Sequence, residues 1–325
     1  MNNHFFIMSF ILISLVILVN GWTDAPNAIT SCVVTKSLSI KKVIILSVIF
    51  NFLGILIMTS ISNKVVDTVS NLVYFPNNNE YSIIALCAGM LSVIIWSVLA
   101  WFFGIPTSES HALLAGITGA AISLNKGFSC INLNEWIKVL YGLILSCSCG
   151  IVFSYSLSYF LSKRIRKTKL EKYQIMLCSL LSFFHGAQDG QKFIGVFIIL
   201  LSLSSNVHIT VIPLWIILYC AIMMGIGTSF GGGRIIKTIG EKIININKLD
   251  GVITDFVSTI CIFSATLLGF PVSTTHVRTL SIVGVGLNNK KDKINLNTLS
   301  NLIFTWIMTF PCCGLIGYVL SEFMQ

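Results

Sequence analysis

A carboxylate follows an uncharged apolar run twice in this chain, 165 residues apart, and each time glycine stands close beside it. The first run, Phe5 to Val19, leads into Asn20-Gly21-Trp22-Thr23-Asp24-Ala25-Pro26-Asn27-Ala28. The second, Ile175 to Phe184, leads into His185-Gly186-Ala187-Gln188-Asp189-Gly190-Gln191-Lys192. A carboxylate at membrane depth is tolerated where it faces a polar cavity, a cation or a transport path, so Asp24 and Asp189 are functional candidates. A second motif repeats at the same offset without a gap: Gly104-Ile105-Pro106-Thr107-Ser108-Glu109-Ser110-His111, then Gly269-Phe270-Pro271-Val272-Ser273-Thr274-Thr275-His276. The chain is read as a tandem duplication.

A chain with 55% hydrophobic and 10% charged residues is no water-soluble globule, whose charged share is about 25%. Mean hydropathy of +0.87 agrees, and the fold class expected is an all-α polytopic membrane protein. The net charge of +9 sits in short loops between apolar runs, a topology signal rather than a nucleic-acid surface. The ten cysteines lie in apolar segments without zinc-site spacing and read as small packing residues.

About 10–12 membrane segments are expected. The first is His4 to Val19, broken at Asn20-Gly21. There Pro26 suits the first turn of a new half-helix capped by Thr23 or Asp24 and running to Thr35. A span at 43–62, a polar loop to Tyr81 and a span at 82–103 follow. Pro106 stops that span, and Ser108 caps a short helix, Ser110 to Ser123, too brief to cross comfortably. Glu135 to Leu161 closes the first repeat (1–162), and a basic linker (163–173) joins it to the second (174–325). There the expected elements are 175–203 with a break at Asp189, 209–230, 252–287 broken at Pro271, and 298–323.

If the basic linker is cytoplasmic, the loops around Lys36–Lys42, Arg234–Lys248 and Lys290–Lys293 share its side, which places sixteen of the 21 Lys and Arg inside. Each half then makes an odd number of crossings. The repeats are inverted relative to each other, and both termini lie outside.

Inverted repeats with broken helices are the architecture of secondary transporters, whose sites lie near the midplane between repeats. Half-helices starting at Ser108 and Ser273 aim unpaired N–H groups and positive dipole ends at one place, which suits a phosphate-like anion. Thr107, Ser110, Thr274 and Thr275 add hydroxyls. Asp24 and Asp189, with carbonyls freed at the breaks, suit a small cation such as Na⁺, and Glu109 is a further cation ligand. His111 and His276 are read as structural hydrogen-bonding residues, Lys192 as pairing a carboxylate or lining an anion path, Arg278 as lending charge to that path, and Asp255 as lying near the inner mouth. Gly231-Gly232-Gly233-Arg234 lacks the P-loop pattern and reads as a flexible helix end. An intramembrane Ser–His hydrolase would need one site, not two, so the chain is read as no enzyme. A passive anion channel is the weaker transport alternative.

Gly21, Asp24, Ala25, Pro26, Asn27 and Ala28, the His185-Gly186-x-x-Asp189-x-Gln191-Lys192 pattern and Pro271-Val272-Ser273-Thr274-Thr275-His276 resemble the duplicated signatures of the inorganic phosphate transporter (PiT) family, bacterial low-affinity phosphate permease type. The similarity runs through both halves. It implies phosphate symport with Na⁺ or H⁺ across the plasma membrane, with sulfate, a similar tetrahedral anion, as the alternative substrate within the family. It further implies Asp24 and Asp189 in both the cation and the phosphate site, the Ser/Thr motifs around the anion, no cofactor, and a homodimer. Thr23 and Gln188 stand where the family usually has Asn, and with Asn27 they complete the oxygen ligands expected for the cation.

Overall fold

The computed structural model describes residues 3–76, 79–162, 170–207, 209–289 and 294–325. Most of the basic linker and the Lys290–Lys293 loop, which carry much of the orientation reading, lie outside the described residues. The helices are α1 (Asn3–Thr23), α2 (Pro26–Val34), α3 (Ile40–Ile61), α4 (Lys64–Ser70), α5 (Asn79–Phe103), α6 (Glu109–Asn125), α7 (Leu133–Leu161), α8 (Leu170–Ser205), α9 (Leu214–Ser229), α10 (Gly233–Lys237), α11 (Lys248–Leu268), α12 (Thr274–Asn289) and α13 (Leu296–Met324). Among the described residues a single bridge, Val73 to Ile131, is the only strand-type pairing. The protein is all-α and polytopic.

Six stretches are long and apolar enough to cross a membrane: His4–Val34, Ile40–Ile61, Glu80–Phe103, Leu133–Leu161, Lys248–Leu268 and Leu296–Met324. Leu214–Ser229 with Gly233–Gly240 forms a further candidate bent by 64° at the Gly231-Gly232 break, so the glycine run marks a bend between α9 and α10. Among the described residues this makes six spans, or seven with the bent pair; α8 and the shorter α6 and α12 are not among them. Large apolar side chains such as Ile45, Ile144, Phe304 and Phe323 face outward, while Asp24, Asp189, Lys192 and Arg278 are buried. That distribution suits a hydrocarbon solvent.

The second motif folds as expected in both halves. α5 and α11 end at Gly104 (φ 67°) and Gly269 (φ 79°), where left-handed backbone costs glycine little. Gly104 N–H donates to Trp101 O at 2.9 Å and Ile105 N–H to Ala100 O at 2.9 Å, while Gly269 donates to Thr266 O and Phe270 to Ala265 O at 3.3 and 2.9 Å. This crossed pair of bonds is a Schellman stop. After Pro106 and Pro271 the chain re-enters helix, with Ser108 Oγ accepting from His111 N–H and Ser273 Oγ from His276 N–H, each at 3.2 Å. The first of these helices, Glu109–Asn125, is slightly longer than expected.

The first motif departs from expectation. The break falls at Asp24-Ala25 rather than Asn20-Gly21, and Ala25 precedes α2 with no side-chain cap from Thr23 or Asp24. Pro26 has no N–H to give, and Asn27 donates to Asp24 O at 2.9 Å instead of continuing the ladder to Thr23. Gly21 is a packing residue, since a Cβ there would lie 2.5 Å from Met224 O of α9. The break expected at Asp189 is absent: α8 runs unbroken for 36 residues, because Gln191 stands 165 places after Pro26 and supplies the N–H proline lacks. The polar loop at 62–81 contains α4.

Helix neighbours repeat at the same offset. α1 packs on α9 as α8 does on α3, α1 on α5 as α8 does on α11, and α6 on α13 as α12 does on α7. All of these pairings except α1 on α5 and α8 on α11 cross between halves, and each short helix packs both on its own half, α6 on α5 and α12 on α11, and on the other.

Candidate functional site

Asn20, Asp24 and Asn27 are spaced i, i+4, i+7 across the α1/α2 join, and His185, Asp189 and Lys192 have the same spacing on α8. That spacing puts each trio on one helix face. The two faces meet: Asn20 Nδ2 donates to Asp189 Oδ2 at 3.3 Å, and ligand atoms of Asp24, His185 and Asp189 all lie within 4.8 Å of one another. All six residues are buried.

Each carboxylate then reaches the short helix of the opposite half. Asp24 Oδ1 accepts from Thr275 Oγ1 at 2.5 Å and Oδ2 from Thr274 Oγ1 at 3.1 Å. Asn27 Nδ2 donates to Asp24 Oδ1 and lies 2.8 Å from Thr275 Oγ1. Asp189 Oδ1 accepts from Lys192 Nζ at 2.7 Å, and the same ammonium donates to Ser110 Oγ and to Val272 O, the latter at 2.8 Å. A buried Lys–Asp pair with every ammonium proton used is the arrangement in which such a pair survives burial. His185 Nε2 stands 3.4 Å from Asp189 Oδ2, and its Nδ1 is 3.3 Å from Asn51 Oδ1.

Asn20 Oδ1, Asn27 Oδ1 and Glu109 Oε2 are buried acceptors without a hydrogen-bond donor. Glu109 contacts the Thr23 hydroxyl through its other oxygen, and Thr23 also bonds Val19 O at 2.8 Å. Three carboxyl groups and one ammonium converge here, and uncommitted hard oxygens beside them are a donor set that suits a small monovalent cation.

One expected ligand, Gln188, is not brought in, and another, Thr23, joins the cluster only through Glu109. Gln188 is tied to Thr266 Oγ1 at 2.6 Å and to Phe270 O at 2.8 Å, which places it against the Pro271 loop. Thr23 serves Glu109 rather than Asp24. Thr107 and Ser108 are buried at the α6 start, Ser108 as its cap. His111 and His276 are expected to make a structural hydrogen bond; among the described residues none of their four ring nitrogens has a partner. The rings meet edge to face at 4.9 Å, with His111 stacked on Phe310 at 4.5 Å and His276 against Trp306 at 4.0 Å. Their backbone N–H groups make the capping bonds instead. Asn20 and His185 were missed as site residues, although the duplicated i, i+4, i+7 spacing was there to be read. Asp255 pairs with Arg278, Nη1 lying 2.6 Å from Oδ1.

The model of the "Phosphate transporter family" matches residues 20–172 and again 163–317. The chain is 36% identical to the "Probable low-affinity inorganic phosphate transporter" of Bacillus subtilis, over 93% of this chain and 91% of that one. It is 32% identical to the like-named protein of Rhizobium meliloti, over 92% and 90%. Its fold matches a solved structure of "The sodium-dependent phosphate transporter" with a TM-score of 0.85 and 19% identity, covering 98% of both chains. With a family match in each half and these relatives along nearly its full length, the chain belongs to the phosphate transporter family.

Proposed function

We propose that this chain imports inorganic phosphate into the cell by symport with Na⁺, with H⁺ as the alternative coupling ion. The observation that carries this is the sharing of donors: Thr274, Thr275 and Ser110, at the starts of α12 and α6, are engaged by Asp24 and by the Asp189–Lys192 pair. A phosphate taken up there needs the same hydroxyls and the ammonium. A cation on Asp24, Asp189, Glu109 and the Asn20 and Asn27 oxygens draws the carboxylates' charge to itself and releases those donors to the anion. Coupling follows from this exchange, with the cation first. The relatives' names support phosphate as substrate, and the sodium dependence of the protein whose fold it shares supports Na⁺.

In this reading the repeats 1–162 and 174–325 are inverted about the basic linker 163–173. The linker is cytoplasmic, both termini are outside, the membrane is the plasma membrane, and the protein works as a homodimer. Carrying HPO₄²⁻ into a cell negative inside costs roughly 4.6 kcal/mol at 100 mV, from about 2.3 kcal/mol per charge. At least two monovalent cations are needed to cancel it. The test is labelled-phosphate uptake into proteoliposomes under an imposed Na⁺ gradient or an imposed proton gradient. Uptake rises with Na⁺ concentration with a Hill coefficient above one, and the half-saturating phosphate concentration falls as Na⁺ rises. A hyperbolic cation dependence with unchanged phosphate affinity refutes the exchange.

Selectivity against sulfate rests on protonation. Near neutral pH phosphate carries an O–H that a site carboxylate can accept, whereas sulfate brings only repulsion, and an unpaired buried polar group costs about 1–3 kcal/mol, or roughly five- to 150-fold in affinity. Equal displacement of labelled phosphate by sulfate and by unlabelled phosphate in a competition assay removes the carboxylates from the anion site.

A further inference from the structure

One helical turn beyond the Asp24 cluster, the same two helices carry a second polar group. Ser31 follows Asn27 by four residues on α2, and Arg278 follows Thr275 by three on α12, so both lie on the faces that meet at the Asn27–Thr275 contact. Between them is Asp255 of α11, whose carboxylate oxygens contact Ser31 Oγ at 2.7 and 2.6 Å. All three are fully buried, Arg278 at 1% exposure. The guanidinium lies against Asp255 through Nη1 at 2.6 Å, yet among the described residues Nε and Nη2 have no hydrogen-bond partner, and Nη1 itself is not aligned for one. A buried fork of donors is therefore held by charge alone. A further turn toward the Lys36 loop, Gln174 keeps its Oε1 on Thr35 and Ser37 at 3.0 and 2.5 Å, while its Nε2 has no partner. Gly251, four residues before Asp255, brings these groups together: a Cβ there would lie 2.3 Å from Gln174 Nε2 and 3.5 Å from Ser31 Cβ.

The positions 165 residues away are Val196, Met90 and Leu113, for Ser31, Asp255 and Arg278 in turn, and all three sit in the main apolar core. The Asp24/Asp189 cluster obeys the duplication; this group does not. On one side of the central cluster the seam is lined with donors, and on the other it is sealed with hydrocarbon.

We infer that Ser31, Asp255 and Arg278 form a second binding station for a protonated tetrahedral oxyanion, which receives hydrogen phosphate from the central site on its way to the Lys36 side. The Nε/Nη2 edge of Arg278 presents two parallel N–H groups to two anion oxygens, the bidentate geometry at which arginine excels. Asp255 accepts the anion's O–H, and when the anion leaves it takes the guanidinium back. The inference rests on the phosphate-import reading and assigns that pathway its release step.

The test compares the two faces of the transporter in proteoliposomes of known orientation. Phosphate counterflow is titrated from the Lys36 face and, separately, from the opposite face. Arg278→Gln is expected to raise the half-saturating phosphate concentration at the Lys36 face at least about tenfold and at the other face less than about twofold, while Arg278→Lys restores part of the loss as a point charge without the fork. Equal effects at both faces, or none, overturn the station. If the wild-type protein moves no phosphate under either gradient, the import reading itself fails. Should Arg278→Gln not fold, the Arg278→Gln/Asp255→Asn pair, which leaves no lone buried charge, takes its place in the same assay. The native protein gives an independent readout: phenylglyoxal modification of Arg278, followed by mass spectrometry, is slowed by phosphate. Absence of modification, or modification unaffected by phosphate, also overturns the station.

Discussion

Asp24→Asn abolishes cation-driven phosphate uptake, lowering it at least about 100-fold, while the protein still inserts and folds, since a transition-state or binding loss near 2.7 kcal/mol is the least that removing a buried charge from a coupling site costs. The fold survives because the partners of Asp24 are neutral: Asn27 and Thr275 keep an amide oxygen at the Oδ1 position, and the Thr274 hydroxyl, which donates to Oδ2, turns to accept from the new NH2. Asp189→Asn also abolishes uptake but brings a second penalty. Lys192 is 1% exposed and, among the described residues, has Asp189 as its only counter-charge in hydrogen-bonding reach, and breaking a buried pair from one side costs about 3–5 kcal/mol. Thermal unfolding in detergent therefore separates the variants: Asp24→Asn melts near the wild type, Asp189→Asn melts well below it, and adding Lys192→Met to Asp189→Asn recovers stability without recovering uptake. Normal coupled uptake by Asp24→Asn would remove that residue from the mechanism.

The second large effect concerns backbones in contact. A Cβ on Gly119 would lie 1.9 Å from Gly314 O, and one on Gly54 1.9 Å from Phe183 O. Neither obstacle is a side chain that can rotate away, so α6 must move off α13, or α3 off α8, by more than an ångström. Gly119→Ala and Gly54→Ala each cost about 1–3 kcal/mol or more, and the bulkier Gly54→Leu leaves no folded transporter to purify. The crossing is asymmetric. Gly314→Ala meets only Ala115 O at 3.7 Å, and Gly233→Ala meets nothing within 4 Å, so both purify and melt like the wild type. Thermal unfolding of the purified variants decides this, and equal stability of Gly119→Ala and Gly314→Ala would refute the close approach.

These glycines also explain where sequence reading stopped. Gly21 and Gly186 beside the carboxylates resemble helix breakers, but each lies where another helix's backbone comes closest: Met224 O for one and Asn51 O for the other. A glycine that permits contact and a glycine that ends a helix are the same letter, and only the neighbouring helix tells them apart. Proline was the better guide. Pro26, Pro106 and Pro271 each mark a real interruption, and Gln191 in place of a proline marks the continuous α8. The membrane class, the two Asp motifs and the two Ser-capped short helices were legible because each rests on local physics: hydropathy, a buried charge, a cap. Gln188 and the ring nitrogens of His111 and His276 were not, because what they touch is decided by Thr266, Phe310 and Trp306, far away in the chain.

The crossed packing of α6 on α13 and α12 on α7 sets the order in which the protein can be made. When α6 leaves the ribosome, its partner is most of the chain away. At about 5–20 residues per second the wait is roughly 10–40 s. Lys192 follows Ser110 by 82 residues and arrives within that interval, whereas α13 comes only at its end. The packing of α6 on α13 thus waits for the 29 residues of α13. Until then the newly made first half is exposed to the insertion machinery and the membrane proteases, and slower translation through α8 to α12 prolongs that exposure.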